Sequence, residues 1–193
     1  LGHTVRQAIA TTGATTTLVG SPDTCGDTEG TGSAARFGMP YALAFHARWD
    51  LRLTCRGDVA VDDHHTAEDC ALALGEAFAG ALGDRTGIER FGWAMVPLDE
   101  ALGRAVVDLA TRPSCDVDLG IEREMLGALA TENLTHVVRS FVIAGRFCCH
   151  LDVLKGANDH HRAEAAFKAT ALAFRQAVAI TGDSVPSTKG VLV

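Results

Sequence analysis

The sequence predicts an α+β fold of two similar half-domains, residues 1–92 and 93–193, each a mostly antiparallel sheet packed against helices. Three observations carry this prediction. Apolar residues make up 47% of 193, enough for one compact core or for two halves that share one. Short apolar runs of strand character alternate with longer segments of helical period, and the order short helix, strand, turn, long helix occurs twice. The string Asp63-His64-His65-Thr66-Ala67-Glu68 returns as Asp159-His160-His161-Arg162-Ala163-Glu164. Interleaving of this kind favours antiparallel pairing with one exposed face over a doubly wound sheet.

Taken in order, the elements have local reasons. Thr15–Val19 reads as a weak β-branched strand, and Ser21–Ser33, rich in Gly, Asp and Thr, reads as a mobile loop. Tyr41–His46 follows Pro40 as a short helix. Leu51, Leu53 and Cys55 alternate with polar residues until Gly57-Asp58, which marks a strand ending in a turn. Ala67–Leu82 carries an apolar stripe at helical spacing. Ala101–Leu109 is a Val/Leu-rich strand stopped by Arg112-Pro113. Glu132–Ala144 is a second helix, Phe147–Leu154 a strand and Ala163–Ile180 a third helix, with a Gly/Ser/Pro tail after Thr181.

Charge narrows the function classes. Lys and Arg number 17 against 24 Asp and Glu, a net charge of −7, which provides no electrostatic footprint for nucleic acid or anionic lipid. No apolar run approaches the about 18 residues that spanning a bilayer requires, and the N-terminal stretch has no charged-then-apolar secretory pattern. The expectation is a cytoplasmic globule. Its six cysteines include no Cys-x-x-Cys pair, so they read as small buried hydrophobes rather than as a disulfide framework.

The repeated string carries the chemistry. On a helix, residues four apart lie about 40° from one another around the axis, so His64 and Glu68 share a face, and His65 meets Glu68 at a spacing of three. Adjacent residues diverge by about 100°, which suits two neighbouring histidines to two different ions. His160, His161 and Glu164 repeat the arrangement. Imidazole with carboxylate fits Mn²⁺, Fe²⁺ or Zn²⁺. Capping of the first-turn amides by Asp63 and Asp159 is expected alongside metal ligation. His136 and His46 precede the two strings; each alone reads more simply as structural.

Beyond the paired strings, the chain from about Phe37 to Val193 resembles the imidazoleglycerol-phosphate dehydratases. The resemblance runs through Asp62-Asp63-His64-His65-Thr66-Ala67-Glu68-Asp69, Gly87-Ile88-Glu89-Arg90-Phe91-Gly92 and Pro97-Leu98-Asp99-Glu100-Ala101-Leu102. It continues through Arg112-Pro113, Asn158-Asp159-His160-His161, Glu164-Ala165-Ala166-Phe167-Lys168-Ala169 and Val185-Pro186-Ser187-Thr188-Lys189-Gly190. Residues 1–36 are poorly family-like. The resemblance implies a hydro-lyase of histidine biosynthesis that removes water from imidazole glycerol phosphate. It also implies two Mn²⁺ ions per active site, with the sites built where subunits meet in a 24-subunit shell. His64, His65, Glu68, His136, His160, His161 and Glu164 match family metal ligands, and Glu68, Glu164 and His65 are the expected acid–base groups. Arg90, Arg112, Lys168, Ser187 and Lys189 match positions that hold the substrate phosphate, whose charge calls for several convergent donors.

Two departures qualify what the resemblance implies. Gly38 stands where the family has a metal-ligating histidine, which leaves one metal site incomplete. Ala14 stands where it has a glutamate near the substrate, and Ala10 where it has an arginine. The alternative expectation is therefore an impaired member that keeps fold, metals and assembly but loses activity, since loss of an acid–base group costs about 10²–10⁴-fold in rate.

Overall fold

The computed structural model describes residues 4–11, 43, 45–57 and 61–192. The expected strand at Thr15–Val19, the loop at Ser21–Ser33, and Ala14, Cys25 and Gly38 lie outside the described residues, as does the start of the expected helix at Tyr41. The chain folds as α+β. Strands β1 (Thr4–Thr11) and β2 (Asp50–Arg56) form an antiparallel pair, and helix α1 (His64–Leu82) follows. Then come β3 (Phe91–Leu98), β4 (Ala101–Asp108) and β5 (Ser114–Asp118). A small hairpin, β6 (Met125–Leu126) and β7 (Leu129–Ala130), precedes helix α2 (Glu132–Gly145). Strand β8 (Cys148–Lys155) and helix α3 (Asp159–Ala177) complete the elements.

The larger sheet has the order β3-β4-β8-β5. Pairing is antiparallel except between β5 and β8, which run parallel. The parallel pair departs from the expected alternation because a whole helix, α2, lies in the chain between the two strands, and a crossover of that length returns the strand in the same direction. β1, β3 and β5 are strands beyond those the sequence predicted. β3 tolerates Pro97 because it is an edge strand, where a missing N–H faces outward. It turns into β4 through Asp99-Glu100, with Asp99 at φ 47°.

One sheet face is covered by α3, and the closeness of that contact is written in small residues. Ala163, Ala165, Ala166, Ala169, Ala171, Ala173 and Ala177 are all buried, and the strands present Gly92 and Gly103 beneath them. A Cβ at Gly103 would stand 2.6 Å from the backbone of Ala165 and Ala166. The opposite face exposes Phe91, Trp93 and Met95 in alternation along β3, as a half-covered antiparallel strand does. The core centres on Phe78, Phe141, Phe147 and Phe174, with ring centroids 5.2–5.7 Å apart, and Trp49 packs on Phe78 and Phe174. No disulfide forms among the described cysteines; Cys70 and Cys149 are buried, and Cys55, Cys115 and Cys148 partly so.

Arg85 places a buried cation in this largely apolar interior. It is 3% exposed, sits at φ 63° between α1 and β3, and donates to the carbonyls of Leu109, Ala110, Gly145 and Arg146. Those carbonyls belong to the end of β4 and the C-terminus of α2, where the helix dipole leaves negative partial charge.

Candidate metal centres

Both repeated strings open helices, so each displays its histidines in the first turn. The caps differ from the expectation for Asp63 and Asp159. Asp63 accepts no first-turn amide; instead Asp62 Oδ1 accepts from the His64 N–H at 2.8 Å. In the second copy Asn158 is the cap, its Oδ1 accepting from the amides of His160 and His161. Asp159 turns inward instead, 5% exposed, and accepts from the amides of Glu122 and Arg123. Its carboxylate thereby satisfies amides of the preceding loop rather than those of its own first turn.

At the first string the structure joins residues far apart in sequence. His64 and Glu68 come from α1 and His136 from α2, and one donor atom from each lies within 4.8 Å of the other two. The His64 and His136 rings stack, with centroids 4.3 Å apart and an interplanar angle of 22°. His136 Nε2 is buried without a hydrogen-bond partner, and Glu68 Oε1 stands 3.5 Å from it. A buried nitrogen left unpaired beside a carboxylate and a second imidazole is what a cation would complete. Asn133, 1% exposed on α2, accepts from His64 Nδ1 at 3.1 Å and donates to Asp63 Oδ1 at 2.9 Å. His65 is exposed and diverges from His64, their ring centroids being 5.8 Å apart.

At the second string the two histidines part company. His160 Nε2 lies 3.2 Å from Glu164 Oε2, one helical turn on. His161 forms a separate group with Asp99 and Glu100 from the β3–β4 turn. Its Nδ1 is 2.8 Å from Glu100 Oε2, and its Nε2 is 3.5 Å from Asp99 Oδ2. Glu100 Oε1 also accepts from the amides of Ala157 and Asn158. The bond to His161 and these two amides hold the Glu100 carboxyl down at about 2, and the same bond raises the His161 imidazole. Lys168 lies 2.7 Å from Glu164 and holds its carboxyl below the ordinary range, assisted by His160. Within one chain the His64 and His161 groups share no residue.

The expected phosphate residues fall in two places. Arg90, at φ 73°, pairs bidentately with Asp108 at 2.7 and 3.0 Å and donates through its third nitrogen to Pro186 O at 2.9 Å. That pair raises the already high Arg90 guanidinium further. The tail lies across this side: Ser184 O accepts from the Gly87 N–H, Ser187 Oγ from the Lys189 N–H, and Leu192 O from Thr111 beside the exposed Arg112. Arg90, Arg112, Ser187 and Lys189 are thus all tied to the tail region, whereas Lys168 is engaged by Glu164 on α3. Asn133, Asp99, Glu100 and Asp108 are site neighbours that sequence reasoning missed. Only Asp99-Glu100 carried a signal, lying inside a string already singled out.

Comparison with known proteins points to one family. A family model described as imidazoleglycerol-phosphate dehydratase matches residues 32–174. Curated relatives of that name include one from Neurospora crassa, 59% identical over 157 residues, spanning 80% of this chain and 69% of its own. Another, from Lachancea kluyveri, is 54% identical over 156 residues, spanning 80% of this chain and 67% of its own. Among solved structures, the imidazoleglycerol-phosphate dehydratase of Staphylococcus aureus superposes with a TM-score of 0.72 at 31% identity, covering 83% of this chain and 92% of that one. That of Pyrococcus furiosus, in complex with (S)-C348, gives 0.71 at 37%, covering 80% and 84%.

Proposed function

This chain belongs to the imidazoleglycerol-phosphate dehydratase family, and from that premise we propose that its paired His-His-Glu strings hold two Mn²⁺ ions for the family's hydro-lyase reaction. The reaction eliminates water from imidazole glycerol phosphate to give imidazole acetol phosphate, in histidine biosynthesis. The donor set fits the metal: imidazoles and carboxylates only, with no thiolate among them. Nothing in the comparisons favours the impaired alternative, and Gly38 and Ala14 lie outside the described residues.

The observation that carries this reading is His136, which arrives from another helix with a buried, unpaired Nε2 beside His64 and Glu68. In our reading His64, Glu68 and His136 serve one ion, while His65, His160, His161 and Glu164 supply further donors where subunits meet. Bound Mn²⁺ would act as a Lewis acid that stabilises charge developing on the substrate imidazole. The carbon-bound proton passes to a carboxylate, Glu68 or Glu164, and the electron pair it leaves forms the double bond. The hydroxyl departs as water with a proton from His65, and the enol product then tautomerises to the ketone. Arg90, Arg112, Ser187 and Lys189 hold the phosphate, with Lys168 beside Glu164 closing the site.

Assembly belongs to the same proposal. The exposed Phe91, Trp93 and Met95 form an apolar row suited to burial between copies in a 24-subunit shell, the two halves 1–92 and 93–193 are read as related, and the location is cytoplasmic. Among the described residues no helix is long and apolar enough to cross a membrane. The test is chelation followed by reloading. Turnover is expected to vanish on metal removal and return with Mn²⁺, with anomalous scattering at the manganese edge locating two ions per active site. Full turnover by rigorously metal-free protein would overturn the proposal.

A further inference from the structure

Asn133 lies outside both repeated strings, yet it is among the most deeply buried polar side chains described and both ends of its amide touch the first string. Its orientation follows from chemistry. The Asp63 carboxylate only accepts hydrogen bonds, so the amide must turn its NH₂ toward Asp63 and its oxygen toward His64. The reverse orientation would set oxygen against oxygen in a buried site. An amide oxygen only accepts, so His64 Nδ1 carries the ring proton, and in the neutral imidazole the lone pair sits on Nε2.

We infer that Asn133 is a positioning residue that fixes the tautomer and plane of His64, so that Nε2 is the nitrogen offered beside Glu68 and His136. Asn133 and His136 are three apart on α2 and share one face. A single helix therefore sets both the clamp on His64 and the neighbouring imidazole. Asp63 is the outer link of the chain, with its oxygen directed at Asn133 rather than at a helix amide. Outer partners of this kind tune ligand geometry and basicity, and their loss costs about 10–100-fold in metal affinity.

The inference rests on the reading of His64 as a metal ligand, and the test separates the two. Mn²⁺ is titrated into the metal-free full-length protein and free Mn²⁺ is followed by electron paramagnetic resonance, alongside the melting temperature of each metal-free variant. Asn133→Leu keeps the volume but neither hydrogen bond, and is expected to weaken one class of site about 10–100-fold. Asp63→Ala, at the helix end, removes only the anchor of the amide and is expected to weaken the same class several-fold. The exchange Asp63→Asn with Asn133→Asp rebuilds the chain of donors and acceptors with the charges swapped, and is expected to restore affinity to within about threefold of the wild type. Wild-type affinity in Asn133→Leu overturns the inference. If Asn133→Leu does not fold, wild-type affinity in Asp63→Ala, or an exchange variant that melts normally yet binds no better than Asp63→Ala, overturns it instead. Wild-type protein that takes up no Mn²⁺ sinks the metal reading itself.

Discussion

Replacing Arg85 by Met should be among the most damaging single changes in this chain, and its size can be worked from the structure. The guanidinium is 3% exposed and donates to four carbonyls from two segments, its NH1 group alone facing Leu109, Ala110 and Arg146. A buried acceptor stripped of its donor costs about 1–3 kcal/mol, so four would cost about 4–12 kcal/mol if none relaxed. Against this, the variant no longer desolvates a cation, which returns several kcal/mol. The net loss is about 3–5 kcal/mol, and for a chain of this length each kcal/mol lowers the melting temperature by about 2–4 °C. The assay is thermal and urea unfolding of metal-free wild type, Arg85→Met and Arg85→Lys at one protein concentration. A fall of about 6–20 °C is expected for Met and a smaller one for Lys, which keeps the charge but offers one nitrogen in place of the fork. A loss below about 1 kcal/mol for Arg85→Met would refute the reasoning, because water would then be satisfying those carbonyls.

Other outcomes follow from the same contacts. Gly103→Ala pushes a methyl against the backbone of α3 and should cost about 1–3 kcal/mol, read as a lower urea midpoint at unchanged slope; an unmoved midpoint contradicts the close seam. Asp108→Asn weakens the fork that aims Arg90 and should raise KM for the phosphorylated substrate about tenfold, a loss of about 1.4 kcal/mol, with kcat within about twofold; a fall confined to kcat contradicts the phosphate role. For Glu100→Gln the variable is pH. The depressed Glu100 contributes stability above its unfolded value that fades as pH falls toward about 2. The raised His161 contributes stability below its unfolded value that fades as pH climbs through its folded one. The gap in melting temperature between metal-free wild type and Glu100→Gln should therefore be widest between about pH 4.5 and 6.5 and shrink above. A gap that grows at alkaline pH contradicts the ion pair.

The parts of this molecule that the sequence made legible are those where one helix or strand suffices. The stripe of Ala67–Leu82 and the repeated histidines needed only a 3.6-residue period, and α1 and α3 do open at the two strings. What escaped was whatever depends on a partner distant in the chain. β5 alternates over only five residues, and its parallel place beside β8 is set by the intervening α2. Glu100 meets His161 only because a tight hairpin delivers it to the start of α3. Asn133 looks like any first-turn asparagine until α2 lies against α1. Arg85 lies in a Gly-Asp-Arg-Thr-Gly turn, and no periodicity announces a cation buried among carbonyls. The caps misled for a related reason: Asp159 had a loop to satisfy that lies far back along the chain.

On the strand side of the α3 contact, the glycines leave nothing to trim. A bulky interface can adjust by losing a methyl here and gaining one there, but Gly92 and Gly103 already sit at the lower limit of side-chain size. Substitution at these two positions can run in one direction only, toward excess volume. The relief for such excess is a rigid displacement of the helix whose first turn bears His160 and His161. Selection on the placement of those two imidazoles would therefore be felt as intolerance at glycines on the neighbouring strands, positions with no functional group of their own.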